Sequence, residues 1–175
     1  RGEQFRQGFD YLDRLLSEQS PHIDSPLGQM QFMDLLPRPG RGRIGLGCTG
    51  MSQQQADWLV THSDFWLTHM RPIQQHEAVM LQWQGLVQQH FGEAAFKPIA
   101  QSLDLDLTND PDARPIPIYL GYRLGRNHLI NLLEYLQELG VNHVALIMKN
   151  SIRPVDEVLE ELISFVLPSF PAHSI

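Results

Sequence analysis

The sequence is poor in cysteine, in basic residues and in long apolar runs, and each shortage excludes a class of protein. One cysteine, Cys48, in 175 residues excludes an internal disulfide framework and a thiolate-rich zinc site. The apolar run at 144–148 is far shorter than the ~20 residues of a membrane-spanning helix. We therefore expect a cytoplasmic protein without a membrane anchor.

Basic charge is also scarce. Lys and Arg together number 13 against 20 Asp and Glu, which gives a net charge of −7 and a pI near 5.5. No cluster of Lys and Arg stands out, so the sequence predicts no nucleic-acid-binding surface.

The remaining composition is that of one globular domain. With 42% hydrophobic residues in 20.0 kDa, the chain can bury a single core, and we predict one domain over residues 1–175. Arg1 lies within a helical pattern and no leader precedes it, so we expect a piece of a longer product.

The first forty residues read as a helix followed by an irregular segment. Phe5, Phe9 and Leu12 recur at helical spacing and predict an amphipathic helix over about 3–18. Residues 20–42 are rich in Pro and Gly, which predicts an irregular excursion with a short strand at Met30–Leu36.

Strand and helix patterns then alternate along the chain. The predicted strands cover Arg43–Thr49, Asp64–Thr68, Ile99–Leu107 and Val141–Met148. The helices that follow them begin at Ser52, Pro72, Gly125 or Asn127, and Pro154, and Gly140 ends the third of them. Ser52 with Gln55 three residues later is the pattern of a capping box, and the second segment rich in Pro, Asn109–Pro117, is predicted as a loop.

This alternation predicts an α/β fold with a parallel sheet and helices outside it. A complete (β/α)₈ barrel takes about 250 residues, so four strand–helix units predict the C-terminal half of a TIM barrel or a small open sheet. Half a barrel has two unpaired edges. We therefore expect self-association or pairing with a missing N-terminal half.

The sharpest local feature is the turn that follows the first of these strands. Thr49, Gly50, Met51 and Ser52 connect the strand to the predicted helix and offer main-chain N–H groups and two hydroxyls. Such a turn suits a phosphate. Alternatively, Ser52 only caps the helix, and Gly45, Gly47 and Gly50 only allow close packing of the chain. The segment is neither a P-loop nor a dinucleotide fingerprint, because it lacks Gly-Lys-Ser/Thr and a third glycine.

The order of several segments resembles the luciferase-like monooxygenase family of flavin-dependent oxidoreductases, from the fifth barrel strand to the eighth. The resemblance covers nearly the whole chain and is carried by segments 43–68, 96–103, 120–127, 140–146 and 153–168. It includes Thr49-Gly50-Met51-Ser52 followed by Asp64-Phe65-Trp66.

The resemblance implies that flavin mononucleotide (FMN) is bound at the C-terminal mouth of a barrel, with its phosphate at Thr49, Gly50, Met51 and Ser52. It also implies that reduced FMN and oxygen act on a small organic substrate. Met51 departs from the family pattern by replacing a small hydroxyl residue, and Phe65 by replacing a common glycine. Most of the ring-binding and substrate-binding surface in the family comes from the first half of the barrel. No catalytic residue is assigned.

Other polar residues have a functional and a structural interpretation. Arg123 and Arg126 could reach a phosphate or an acidic substrate, or form surface salt bridges. The even spacing of His62, His69 and His76 suggests metal ligands, but their predicted positions need not converge, so no metal site is predicted. His69 could donate a proton or contact flavin, or be a hydrogen-bonded loop histidine.

Four residues on predicted strands complete the candidates. His143 is predicted to be a satisfied core histidine and Cys48 a small buried thiol. Asp104 and Asp106 share one face of a strand and could act as an acid–base pair, or pair with Lys or Arg of a neighbouring strand.

Two other functions remain open from the residues alone. One is a non-catalytic half-barrel assembly module that dimerises or pairs with a missing half. The other is a phosphate-sugar-binding barrel fragment without redox function.

Overall fold

The computed structural model describes residues 1–40 and 42–171, which belong to two compact units, Arg1–Trp66 (unit 1) and Leu67–Ile175 (unit 2). The helices are α1 Gly2–Ser17, α2 Ala56–His62, α3 Ile73–Phe91, α4 Arg126–Glu138 and α5 Val155–Glu161. The strands are β1 Ile23–Ser25, β2 Gly28–Met30, β3 Gly47–Thr49, β4 Phe65–His69, β5 Ile99–Leu107, β6 Ile116–Ile118, β7 Gly121–Leu124 and β8 His143–Ile147.

In unit 1, α1 confirms the predicted amphipathic helix. Phe5 and Phe9 on this helix meet the Trp58 ring of α2 edge-on, with ring centroids 6.0 and 5.5 Å apart. Edge-to-face packing of this kind adds to the area that the rings bury. Trp66 and Cys48 belong to the buried core, at 2% and 1% exposure.

The excursion after α1 contains a strand pair, but not at the predicted place. β1 and β2 form an antiparallel hairpin in which Ile23 lies opposite Met30. The strand predicted at Met30–Leu36 is wrong, because only Met30 belongs to β2. Phe32 adopts a left-handed φ of +55°, which interrupts extended backbone, and the side chains from Phe32 to Leu36 are exposed.

The strand predicted at Arg43–Thr49 is shorter than expected. Only Gly47–Thr49 is strand, and it pairs with β4. The residues before it are held by one carboxylate: Asp64 Oδ2 accepts hydrogen bonds from Leu46 N at 2.6 Å and from Arg43 Nη1 at 2.7 Å. The Asp64 side chain therefore supplements the backbone pairing here, where Asp64 N also donates to the Leu46 carbonyl at 2.8 Å.

In unit 2 the predicted elements are largely confirmed. The bounds of β5 are those predicted, α3 follows Pro72, and Gly140 ends the α4 segment with a left-handed φ of +89°. β4 begins in unit 1 and ends in unit 2, and the strand order from it is β4-β5-β7-β6, with β8 also paired with β5. β7 and β8 both run parallel to β5, which confirms the predicted α/β class.

The loop predicted at Asn109–Pro117 runs into a hairpin instead. β6 and β7 pair antiparallel, with Ile116 opposite Arg123. Pro117 argued against a strand because it cannot donate to a sheet ladder, but β6 is the last strand in the order given above, where proline is tolerated.

The end of the chain departs from prediction in its burial. β8 is half-exposed and His143 is exposed, so the expectation of a buried strand with a core histidine is wrong. α5 buries one side, including Val158, and continues into a π-helical turn, Leu162–Val166. A second apolar side is exposed; this "α5 stripe" consists of Ile152, Val155, Leu159 and Ile163, at 69, 44, 42 and 60% exposure.

The four predicted strand–helix units are present as β3-α2, β4-α3, β5-α4 and β8-α5. No helix within residues 1–40 and 42–171 combines the length and the apolar character needed to cross a membrane.

Candidate functional site

The turn after β3 has an unusual backbone. Gly50, Ser52 and Gln53 have left-handed φ values of +57°, +48° and +58°, while Met51 between them stays outside that region. Alternation between right- and left-handed residues turns successive N–H groups toward one side and creates a concavity that suits an anion. Thr49, Gly50, Met51 and Ser52, the four residues predicted to bind phosphate, lie at the end of β3 and in this turn.

The carbonyl oxygens of the turn are tied back to the protein. The Gly50 carbonyl accepts a hydrogen bond from Trp66 Nε1 at 2.8 Å, and the Met51 carbonyl accepts one from Gln54 N at 2.7 Å. Ser52 Oγ donates to the Thr49 carbonyl at 3.0 Å. These contacts fix the orientation of the peptide planes, and with it the direction of their N–H groups.

Gln54 organises the turn and was missed by the sequence analysis. Its side chain is 5% exposed, and its Nε2 donates to the Ser52 carbonyl at 3.1 Å and to the Gly2 carbonyl at 2.9 Å. Its Oε1 accepts from Arg6 Nε at 2.5 Å, which brings a guanidinium beside the turn. Nothing in the run Ser52-Gln53-Gln54-Gln55 distinguishes this glutamine, because its role depends on α1.

The capping box predicted at Ser52 is wrong. α2 begins at Ala56 with Gln55 as its N-cap, and no side chain caps it. A capping serine has extended backbone, and its oxygen accepts from the helix. Ser52 instead has a left-handed φ, and its hydroxyl donates to Thr49.

The two departures from the family pattern differ in their surroundings. Met51 is 40% exposed. Phe65 packs on Gly47, since a Cβ added there would lie 2.1 Å from Phe65 Cε2. Phe65 therefore occupies space directly beside β3, and it requires a glycine as its neighbour.

Unit 2 brings together a second polar group, at the carboxyl end of β5. Asp104 and Asp106 are 5 and 6% exposed and share one face of the strand. Asp106 Oδ1 accepts from Ile152 N at 3.1 Å, and its Oδ2 lies 3.6 Å from Arg123 Nε. Asp104 Oδ2 lies 4.0 Å from Lys149 Nζ. The expectation of a basic partner on a neighbouring strand is therefore confirmed for Asp106, which faces Arg123 of β7, whereas the cation nearest Asp104 follows β8.

Arg126 forms structural contacts in the structure. Its Nη1 donates to Glu161 Oε1 at 2.8 Å, and its guanidinium carbon lies 4.4 Å from the Phe165 ring centroid. Glu161 Oε2 also accepts from Arg153 Nη1, at 2.6 Å. Desolvation opposes ionisation of Glu161, but these two arginines outweigh it and lower the pKa of the carboxyl group.

Of the three evenly spaced histidines, His69 and His76 share a neighbour, Arg71. His62 stacks on Trp58 with a centroid distance of 4.4 Å. Burial first, and the charge of Arg71 second, lower the pKa of both His69 and the fully buried His76. No group of three His, Cys, Asp or Glu that could hold a metal ion occurs in the part of the chain that the structure describes.

Cys48 is a free buried thiol, as predicted, and burial raises its pKa. Desolvation therefore disfavours its thiolate.

No protein-family model matches the sequence, and no curated protein matches it. Solved structures do match. An F420-dependent secondary alcohol dehydrogenase in complex with an F420–acetone adduct superposes with a TM-score of 0.75 at 11% identity, over 98% of this chain and 62% of that one. The monooxygenase RslO1 from Streptomyces bottropensis gives a TM-score of 0.76 at 11% identity, over 97% of this chain and 61% of that one.

The chain thus spans about three fifths of the length of each of these structures. It has an α/β fold with a mostly parallel sheet that matches part of the TIM barrel of luciferase-like proteins.

Proposed function

We propose that this chain is part of a flavin-dependent oxidoreductase of the luciferase-like type and holds the phosphate of FMN at Thr49, Gly50, Met51 and Ser52. The observation that carries the proposal is the cluster of left-handed φ values at Gly50, Ser52 and Gln53, interrupted at Met51, at the carboxyl end of β3. Active sites of TIM barrels lie at this end of the strands. The two matching structures, an F420-dependent dehydrogenase and a monooxygenase, support redox chemistry as the class.

The turn fits a phosphate group. A Cβ added to Gly50 would meet no heavy atom within 4 Å, so the turn is open at this residue. The N–H groups of Met51, Ser52 and Gln53 would donate to the phosphate, and the Thr49 hydroxyl would supply a further donor. Gln54 and Trp66 would keep these groups in place by holding the carbonyls.

Bound flavin would supply the electron transfer, in a monooxygenase with oxygen and a small organic substrate. The residues described above would bind and orient it. The choice between FMN and a deazaflavin such as F420 depends on the rest of the cofactor site.

The test compares FMN with riboflavin, which lacks the phosphate. Ser52→Pro removes one N–H and forbids the φ of +48°. We expect it to weaken FMN binding about tenfold or more, as loss of charge-assisted hydrogen bonds does, with riboflavin unchanged. Fluorescence quenching of each flavin gives both dissociation constants.

The matched control is Ser52→Gly, which retains the N–H and adopts a left-handed φ without strain. It should bind FMN as the parent chain does. Equal losses for FMN and riboflavin in the Ser52→Pro variant would contradict a phosphate contact at this turn.

A second candidate is an assembly module that pairs through the C-terminal face of unit 2. The exposed α5 stripe favours it, since large apolar patches on soluble proteins mark interaction sites. The partner is a second copy or strand–helix units outside this chain. Light scattering after size exclusion should give a mass above 20.0 kDa, returning to that value in Leu159→Glu/Ile163→Glu. A monomer at every concentration would rule out self-pairing.

A further inference from the structure

The carboxyl end of β5 carries a buried carboxylate that lacks a hydrogen-bond donor. Asp104 pairs with Gly121 of β7 and with Ile147 of β8, so it occupies an inner position of the sheet in unit 2. Its side chain is 7% exposed. Its Oδ2 is buried and accepts no hydrogen bond from any described residue. A buried carboxylate oxygen without a donor destabilises the folded state, because it has lost its hydrogen bonds to water and gained none in the protein.

The nearest cation does not satisfy this oxygen directly. Lys149 Nζ lies 4.0 Å from Asp104 Oδ2, beyond hydrogen-bond range. One oxygen atom about 2.8 Å from each of the two atoms would span that distance, with an angle of roughly 90° between its two contacts. A hydroxyl group meets both requirements, because it donates one hydrogen bond and accepts others.

The surroundings select a neutral group. Asp106, the other carboxylate on this face, is already engaged by Ile152 N and lies 3.6 Å from Arg123. Two carboxylates therefore face two cations, and an added charge would remain uncompensated. The Lys149 side chain is 63% exposed, so the position can be reached from solvent. In barrel folds, ligands are bound at this end of the strands.

We propose that Asp104 and Lys149 form a subsite for a hydroxyl group of a small alcohol or polyol. The ligand O–H donates to Asp104 Oδ2, and the ligand oxygen accepts from Lys149 Nζ. This subsite lies in unit 2 and does not depend on a phosphate site in unit 1, so either proposal can fail without the other.

The test exploits the presence of only two lysines, Lys97 and Lys149. Reductive methylation with ¹³C gives each lysine its own NMR signal and preserves its charge. Ribitol is the hydroxyl probe, and 1,2-dimethoxyethane, which has oxygens but no O–H, is the matched control ligand. We expect a saturable shift of the Lys149 signal with ribitol only, while Lys97 serves as the internal reference.

Two variants connect this shift to the proposed contacts. Asp104→Asn removes the charged acceptor, and we expect ribitol affinity to fall about tenfold. Lys149→Gln changes an exposed side chain and leaves folding intact; the Ile152 amide signal then reports the same loss. Glu160→Gln, an exposed change on α5, should retain the parent affinity.

Each opposite result would overturn the subsite. A shift that does not saturate, or an equal response to the ether, means that no hydroxyl is recognised. Unchanged ribitol affinity in both Asp104→Asn and Lys149→Gln means that ribitol contacts neither residue.

Discussion

At the scale of single residues, Gly121 controls whether β7 can pair with β5. A Cβ at this position would lie 1.8 Å from the Asp104 carbonyl oxygen, and backbone on an inner strand cannot move aside. We expect Gly121→Ala to lower the free energy of unfolding by about 2 kcal/mol or more, as overpacking does. Urea denaturation followed by circular dichroism measures the change.

The matched control is Gly85→Ala in α3. A Cβ there meets no heavy atom within 4 Å, so the substitution should stabilise the helix by about 0.5–1 kcal/mol. If Gly121→Ala were stabilised as Gly85→Ala is, the inference that β7 lies too close to Asp104 for a Cβ would be wrong.

Also at the scale of single residues, we expect His76 to make the stability of the folded protein depend on pH. The histidine is fully buried, and burial first, then Arg71 and His69, lower its pKa below the usual value. The unfolded chain therefore binds the proton more readily than the folded one. Stability should fall as the pH drops below about 6.5, and His76→Gln should flatten that fall.

Urea midpoints between about pH 5 and 8 measure this effect. His22→Gln, at an exposed position, is the control and should retain the pH dependence of the parent chain. A parent chain whose midpoint is the same at both ends of this range would contradict the assignment to His76.

At the scale of elements, Glu161 joins three segments of unit 2. It accepts hydrogen bonds from Arg126 of α4 and from Arg153, and Arg153 also donates to the Thr108 carbonyl after β5 at 3.2 Å. Its side chain is 11% exposed. We expect Glu161→Gln to destabilise the protein by about 2 kcal/mol, because it leaves two guanidinium groups without their carboxylate.

The adjacent Glu160 is exposed, so Glu160→Gln should change the urea midpoint little. The lowered pKa of Glu161 adds a second signature: its stabilisation is present above pH about 4.5 and is lost as the pH falls through the folded pKa. Equal midpoints for the two variants at neutral pH would show that the network contributes nothing.

At the scale of the whole molecule, four strand–helix units leave apolar surface that a larger assembly would bury. If copies of this chain pair through the α5 stripe, the melting temperature must rise with protein concentration by mass action. Scanning fluorimetry over about a hundredfold concentration range tests this. Leu159→Glu/Ile163→Glu should abolish the dependence, and a constant melting temperature in the parent chain would count against self-pairing.

The predictable part of this fold is what local patterns encode. The bounds of β5 follow from its apolar alternation, the start of α3 from Pro72, and the end of α4 from Gly140. The hairpin β6-β7 was missed because Pro117 suppresses a strand pattern unless the strand is at an edge. The helix start at Ser52 was misplaced because the same hydroxyl can cap a helix or bond the preceding carbonyl.

For the candidate sites too, some features follow from local sequence and others only from the tertiary structure. The sequence by itself determined the α/β class, the four strand–helix units and the position of the turn at Thr49–Ser52, because hydrophobic periodicity and turn residues act over a few neighbours. Only the tertiary structure decided that Gln54 and Trp66 hold that turn, and that Asp104 meets Lys149. The Trp66 and Lys149 contacts join residues 16 and 45 positions apart along the chain, and the Gln54 contact depends on the backbone conformation of one turn, so no local pattern encodes them.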